Sequence, residues 1–251
     1  MENFRKEHGD YPDMFISLFK SVEPTLEFET YDVILGEYPK KLQDNDIYLI
    51  SGSRYGVNDG DKWIDDLEKF VLELQHRKHP LIGICFGHQM IAKALGGKTE
   101  LASQGWGAGV QNYQIILTEP WMEPDLEQFS ILSFHKDQVT KLPEDAVLIA
   151  ESDFCPYSAY YIGKWLISFQ GHPELTKDYV RALKHRRENI LGQEVLVSGI
   201  KSLEQQIQPK IIAKWILNFM HNGVVAKVKL ITFIIIQFLY FLNFAASFPK
   251  A

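Results

Sequence analysis

The feature that most constrains the fold is the regular alternation of short apolar runs with amphipathic helical segments. Residues 47–50 (IYLI) and 81–85 (LIGIC) follow polar turns and have the length and composition of buried strands. Between them, Asp61 can cap a helix over residues 61–76. Its apolar stripe consists of Trp63, Ile64, Leu67, Phe70, Val71 and Leu74. Buried strands that alternate with helices are typical of an α/β domain.

The same pattern continues to about residue 220. Residues 87–97 are predicted to form a helix that stops at a pair of glycines. Further strands are predicted at residues 110–117, 129–134, 146–150 and 164–169. A closing amphipathic helix is predicted over residues 210–220, before Asn222-Gly223. We therefore predict one folded domain over residues 1–222.

Composition limits the partners and the compartment. The 251 residues carry a formal net charge of -6, which leaves no excess of Lys and Arg to neutralise a nucleic-acid backbone. The two cysteines, Cys85 and Cys155, lie in different local contexts, so we expect no disulfide and a reducing compartment. Residues 1–10 lack the apolar core of a secretory signal. We expect a cytoplasmic protein that does not bind nucleic acid.

The C-terminal residues 223–251 differ from the rest of the chain. Residues 230–249 contain no charged side chain, and about 20 helical residues span the hydrocarbon core of a bilayer. Lysines lie on both sides of this run, so the orientation signal is weak. Two interpretations stay open. The run is either a membrane anchor that contacts the bilayer through residues 230–249, or a tail without that role, such as a non-native extension or a segment folded back onto the domain.

Residues 83–87 form a G-x-C-x-G pattern between a predicted strand and a predicted helix. Hydrolases that use serine place their nucleophile on a sharp turn of this kind. The flanking glycines allow the tight turn and the close approach of a substrate. The positive end of the following helix favours the thiolate form of Cys85. An inert buried cysteine is the alternative. We predict that Cys85 is a nucleophile.

A thiol nucleophile needs a base and an acid, and histidine serves as both near neutral pH. Residues 169–174 (FQGHPE) follow an apolar strand, which places His172 at the same predicted sheet edge as Cys85. Glu174 lies two residues further on, where it can orient the imidazole and stabilise the imidazolium. The sequence therefore predicts Cys85, His172 and Glu174 as catalytic residues.

The tetrahedral intermediate of such a reaction needs hydrogen-bond donors for its oxyanion. The backbone N–H of Phe86, directly after the nucleophile, is one candidate. The other candidate is the backbone N–H of Gly52, in the loop of residues 51–54 at the end of a neighbouring strand. For this loop, a turn with no catalytic role is the alternative.

Residues 83–89 (GICFGHQ) and 171–174 (GHPE) together resemble the class I glutamine amidotransferase family. Residues 50–56, 105–110 and 133–137 resemble its stand-alone branch, which includes the γ-glutamyl peptidases. The resemblance extends from about residue 8 to about residue 220. It implies a flavodoxin-like, doubly wound, mostly parallel α/β sheet and a thioester intermediate at Cys85.

The resemblance also implies a glutamyl pocket. Gln89 would help to hold the α-amino or carboxylate group of the substrate, although capping or packing against a neighbour explains it equally well. Ser133, Phe134 and His135 would form the segment whose backbone receives the substrate, with His135 as a pocket wall and not as the base. We expect no cofactor and no metal, because the sequence has no H-x-x-x-H or C-x-x-C spacing.

One departure from the family concerns the N-terminus. Family members normally open with a strand before the segment that matches residues 7–14, and nothing strand-like precedes that segment here. We therefore expect a sheet that lacks its usual first strand. Such a loss threatens a stability margin of only about 5–15 kcal/mol.

The predicted function is hydrolysis of the γ-glutamyl amide of glutamine, or of a γ-glutamyl peptide such as a glutathione derivative. The sequence has no Walker-type phosphate loop, so a synthetase that accepts ammonia would be a separate protein. The alternative is a degenerate, non-catalytic amidotransferase-like module that binds a partner or a glutamyl ligand.

Overall fold

The computed structural model describes residues 9–43, 46–223 and 230–235. The helices are α1 (Tyr11–Lys20), α2 (Lys62–Arg77), α3 (Phe86–Ala94), α4 (Lys177–Arg186), α5 (Glu188–Leu191), α6 (Gln193–Ser202) and α7 (Pro209–Gly223). The strands are β1 (Glu27–Asp32), β2 (Ile47–Ile50), β3 (Leu81–Ile84), β4 (Lys98–Leu101), β5 (Gly107–Ile115), β6 (Gln128–His135), β7 (Asp137–Lys141), β8 (Ala146–Glu151), β9 (Ala159–Ile162), β10 (Leu166–Phe169) and β11 (Leu230–Ile235).

Nine of these strands form one sheet in the order β1-β11-β2-β3-β10-β9-β8-β5-β6. The neighbours from β1 to β10 pair in parallel, and the neighbours from β10 to β6 pair antiparallel. Strands β4 and β7 form a separate two-stranded sheet. The carboxyl ends of β2, β3 and β10 therefore meet at one edge, where the predicted site residues follow each strand.

Apolar side chains of the parallel strands alternate between two cores. Leu49 and Ile82 pack in a core that includes residues of α1 and α7. Tyr48 and Leu81 pack in a second core with residues of α2 and α3. Because the side chains of a strand point alternately to its two faces, helices cover both faces of the sheet. The predicted doubly wound α/β fold is confirmed.

Strand β11 comes from the predicted apolar tail and lies in the interior of the sheet. It pairs in parallel with β1 on one side and with β2 on the other. Ile231, Phe233, Ile234 and Ile235 are fully buried. The ring of Phe233 lies 5.7 Å from that of Phe15 and stacks on that of Phe28 at 5.2 Å. β-branched and aromatic residues in a continuous apolar run suit a parallel strand that is covered on both faces.

This position corrects the membrane interpretation of residues 230–249. The side chains that would face lipid in an anchor instead face α1, α7 and the neighbouring strands. None of the helices in the described ranges combines the length and apolar character that crossing a bilayer requires. Residues 236–249 lie outside the described part of the chain.

The predicted absence of the usual first strand stays a prediction. An N-terminal strand would fall within residues 1–8, which lie outside the described part. Strands β1, β11 and β2 are nevertheless hydrogen-bonded without interruption. The domain boundary at residue 222 stays a prediction, but six residues beyond it belong to the same sheet as the predicted site.

Candidate active site

Cys85 occupies a sharp turn between β3 and α3. Its backbone has φ 53° and ψ -100°, a conformation that side-chain-bearing residues rarely adopt. The turn is fixed by a 2.9 Å hydrogen bond from Cys85 N to Phe169 O. A Cβ atom on Gly87 would lie 2.2 Å from Ile50 O, so only glycine lets α3 approach β2 this closely. The strain and the position at a helix N-terminus are those of an enzyme nucleophile.

His172 and Glu174 lie at the same edge, just after β10. His172 N donates a 2.7 Å hydrogen bond to Leu132 O, which ties this segment to β6. His172 Nδ1 lies 2.6 Å from Glu174 Oε1, and both side chains are buried. Since a carboxylate only accepts, Nδ1 donates and Nε2 is available to a second partner. The His172 side chain also hydrogen-bonds to Cys85. The structure thus brings the three predicted catalytic side chains together.

The electrostatic environment of His172 favours the imidazolium. Burial by itself lowers the pKa of His172, but the charges of Glu174 and Cys85 and its hydrogen bonds to them outweigh burial, and the pKa lies well above its ordinary value. A cationic imidazole next to a thiol favours the reactive thiolate form of a cysteine.

The two predicted oxyanion donors lie beside Cys85. A Cβ on Gly52 would lie 2.6 Å from His172 Cε1 and 3.6 Å from Cys85 Cβ, so this backbone directly faces the catalytic side chains. In the described part of the chain, neither the Gly52 N–H nor the Phe86 N–H has a hydrogen-bond partner. Strand β11 supports this loop, because Ser51 N donates a 3.2 Å hydrogen bond to Ile234 O. Two unpaired backbone N–H groups therefore lie next to the Cys85 side chain in the described residues.

The predicted substrate-binding side chains have distinct structural roles. Gln89 is buried, and its Nε2 donates to Asp137 O at 2.6 Å and to Gln170 Oε1 at 3.1 Å. Its amide nitrogen therefore connects α3 to the start of β7 and to the residue after β10. Ser133 Oγ bonds to Tyr113 OH at 2.7 Å, so its side chain points into the core and leaves only its backbone for a substrate.

His135 is the second histidine near the site. Its Nδ1 lies 3.1 Å from Asp137 O. Burial lowers its pKa to about 4, the bond to Asp137 opposes this shift and the charge of His172 adds to it. His135 is therefore neutral near pH 7, and it lies next to Phe134 in β6, with both side chains buried.

Residues 13–182, more than half of the chain, match the sequence model of the family described as glutamine amidotransferase class-I. The chain belongs to the class I glutamine amidotransferase family. Its amidotransferase fold is similar to the crystal structure of a glutamine amidotransferase from Thermotoga maritima, with a TM-score of 0.67, 18% identity and coverage of 82% of this chain and 89% of that chain.

Two curated relatives represent different members of the amidotransferase family. γ-Glutamyl peptidase 3 of Arabidopsis thaliana is 31% identical over 217 residues, which cover 83% of this chain and 86% of that protein. A glutamine-hydrolysing GMP synthase subunit from Archaeoglobus fulgidus is 36% identical over 105 residues, which cover 41% of this chain and 57% of that protein. The prediction of a glutamine amidotransferase-type hydrolase is confirmed.

Sequence reasoning missed several residues around the amidotransferase site. Gln170, which is fully buried and contacts Gln89, carried a usable signal as a polar residue directly after an apolar strand. Two further residues carried no signal, because their neighbours are distant in sequence. The charges of Glu174 and Cys85 act on the phenol of Tyr11, and the guanidinium of Arg187 lies over the ring of Phe134.

Replacing Glu174 by glutamine is expected to lower the pKa of His172. The substitution removes the neighbouring negative charge, so burial, which disfavours the imidazolium, is opposed less. The measurement is an NMR titration of isotope-labelled histidines in the wild type and the variant. His88 and His135, with pKa values lowered by burial to about 3 and about 4, are internal controls and should stay neutral between about pH 5 and 8. An unchanged titration of His172 in the variant would contradict the assigned pairing.

Replacing Gly52 by alanine is expected to reduce kcat/KM by about 100-fold, because the added methyl group displaces the imidazole of His172 or the oxyanion loop by a few tenths of an ångström or more. Steady-state kinetics checks the activity. Thermal unfolding of the same variant separates a local displacement from a loss of fold. Wild-type kinetics in a folded Gly52→Ala protein would show that the loop does not face the reacting groups.

Proposed function

We propose that Cys85, His172 and Glu174 hydrolyse a γ-glutamyl amide through a thioester intermediate. The observation that carries this proposal is the strained turn at Cys85 beside the buried His172–Glu174 pair, with two unpaired backbone N–H groups next to them. A nucleophile, an oriented base and oxyanion donors are the parts that acyl transfer requires.

In the first half-reaction, the Cys85 thiolate attacks the γ-carbonyl carbon and a C–S bond forms. The carbonyl oxygen gains the negative charge and accepts hydrogen bonds from the N–H groups of Gly52 and Phe86. As the C–N bond breaks, the His172 imidazolium gives its Nε2 proton to the leaving nitrogen. The products are a neutral amine and a γ-glutamyl thioester.

In the second half-reaction, neutral His172 takes a proton from water, and the resulting hydroxide oxygen attacks the thioester carbon. The C–S bond then breaks, which releases glutamate and restores the thiolate beside the imidazolium. Glu174 accepts the Nδ1–H hydrogen bond in both half-reactions and stabilises the positive charge on the ring.

A γ-glutamyl peptide is the proposed substrate class. The similarity to a γ-glutamyl peptidase extends over most of both chains, whereas the similarity to the GMP synthase protein covers less than half of this one. That shorter similarity favours a second candidate function, the release of ammonia from glutamine for a separate synthetase. A thiol nucleophile and two free cysteines fit a reducing compartment, and we propose the cytoplasm.

The test is a comparison of amine release from glutathione, from glutamine and from an α-glutamyl dipeptide as a negative control. We expect faster turnover of glutathione than of glutamine and none of the α-linked peptide. Turnover of glutamine alone would favour the ammonia-supplying function. A folded protein that releases amine from none of these compounds, including other γ-glutamyl dipeptides, would favour the non-catalytic binding module.

A further inference from the structure

Arg187 is a cation beside the candidate active site that no step of the proposed mechanism uses. It follows α4, and its guanidinium carbon lies 5.2 Å from the ring centroid of Phe134 in β6. The side chain is partly buried. In the described ranges of the chain, no carboxylate lies within ion-pairing distance of its guanidinium. A partly buried guanidinium without an acidic partner is costly unless a ligand supplies the negative charge.

Two tyrosines flank this cation. The rings of Tyr11 and Tyr179 meet edge to face at 6.3 Å, and their side chains are hydrogen-bonded to each other. Burial raises the pKa of Tyr11 well above its ordinary value, and the charges of Tyr179, Glu174 and Cys85 raise it further, which places its phenol close to the catalytic residues. The hydroxyls remain protonated donors near neutral pH.

The guanidinium of Arg54 adds a second positive charge near Arg187. Burial lowers the pKa of the Arg187 guanidinium, the charges of Tyr11 and Tyr179 oppose this, and the charge of Arg54 adds to the lowering. Arg54 is the last residue of the loop of residues 51–54 and is exposed. Two guanidiniums that influence each other next to phenol donors form a site for an anion, and the planar fork of arginine matches a carboxylate in particular.

This group packs in a different core from the residues around Gln89, and it shares only Phe134 of β6 with the predicted glutamyl pocket. Tyr179 and Phe134, with the partly buried Tyr11, pack in a core with residues of α4 and β6. The residues around Gln89 pack in a different core. This core contains Met90, which follows Gln89 in α3, and Val139 of β7, the strand that begins at Asp137. Because the bond between the acyl group and the leaving amine breaks at Cys85, the two parts of the substrate extend in different directions from the nucleophile.

We propose that Arg187, flanked by Tyr11 and Tyr179, binds the carboxylate of the amino acid or peptide that leaves. This inference rests on the proposed function and refines its substrate class to γ-glutamyl compounds whose leaving amine carries a free carboxylate. The group that leaves from glutamine is ammonia, which has no carboxylate. Arg187 therefore distinguishes a γ-glutamyl peptide from glutamine.

The test measures kcat/KM for glutathione and for glutathione with an amidated C-terminus, and takes their ratio in each protein. The wild type should prefer the free carboxylate, and Arg187→Gln should lower the ratio by about 10- to 100-fold, as expected for loss of a charge-assisted hydrogen-bond pair. Arg187→Lys, which keeps the charge without the fork, should give an intermediate ratio. Arg181→Gln is the matched control, since Arg181 lies on α4 and pairs with Asp178.

The outcomes separate this inference from the proposed function. A wild type that hydrolyses both compounds while Arg187→Gln and Arg187→Lys keep its ratio overturns the carboxylate site alone. A wild type that releases no amine from either compound and forms no acyl group on Cys85 overturns the proposed function, and the carboxylate site with it. Thermal unfolding shows whether each variant is folded. If Arg187→Gln does not fold, the kcat/KM ratio of Arg187→Lys decides between these outcomes.

Discussion

Replacing Cys85 by alanine is expected to reduce kcat/KM for a γ-glutamyl substrate by at least about 10⁴-fold. The sulfur forms the bond on which both half-reactions depend, and the oxyanion donors and the histidine cannot replace it. The measurement is amine release at substrate concentrations far below and above KM, with the folded state of the variant checked by thermal unfolding. The methyl group of alanine fits the space left by the thiol, so the fold should be retained.

Cys155 provides the matched control. It is buried in the main core, and burial raises the pKa of its thiol to about 12, so it stays protonated and unreactive near neutral pH. Cys155→Ala should therefore keep the wild-type kcat/KM. Equal loss of activity in both variants would indicate a general effect of the substitutions on the fold, and full activity of Cys85→Ala would exclude Cys85 as the nucleophile.

Ending the chain at residue 222 is expected to abolish cooperative folding and activity. This truncation removes four fully buried apolar side chains and leaves the facing edges of β1 and β2 unpaired in the interior of the sheet. Loss of the Phe233 ring alone should cost about 3–5 kcal/mol, against a total stability of about 5–15 kcal/mol for a typical domain. The truncation also removes the Ile234 carbonyl that holds Ser51 at the oxyanion loop.

The control for this truncation ends the chain at residue 235, which keeps β11. We expect it to retain the wild-type melting temperature and kcat/KM. Circular dichroism, thermal unfolding and amine release are measured for both chains. A chain of residues 1–222 that folds and turns over like the wild type would contradict the place of β11 in the sheet, and the variant Phe233→Ala would then be equally stable.

The juxtaposition of Cys85, His172 and Glu174 was predictable because its signals are local in sequence. Gly83 and Gly87 on either side of Cys85 are required by close packing, because an added Cβ would lie 2.6 Å from Ile91 Cδ1 or 2.2 Å from Ile50 O. His172 and Glu174 are only two residues apart and both follow β10, so their pairing depends on local sequence alone. Parallel strands then bring the separate segments to a common edge, so the α/β pattern was sufficient to place them together.

The place of the C-terminal run was not predictable from hydrophobicity. The uncharged run of residues 230–249 has the length and composition of a membrane span, and its residues 231–235 equally suit a buried parallel strand, because both environments exclude water and charge. What distinguishes them is a partner about 200 residues earlier in the chain, the pair of edges on β1 and β2. Strand β1 itself was missed, since its mostly polar sequence (EFETYD) lacks the apolar run of an interior strand.

The central claim, that Cys85 carries the acyl group, is tested most directly by mass spectrometry of the acid-quenched reaction. Wild-type enzyme is mixed with glutathione, quenched during turnover and digested, and the peptide that contains Cys85 is examined for a glutamyl adduct that hydroxylamine removes. The mechanism predicts this adduct in the wild type and none in Cys85→Ala. Full turnover without any adduct on Cys85, together with undiminished activity of the alanine variant, would contradict it.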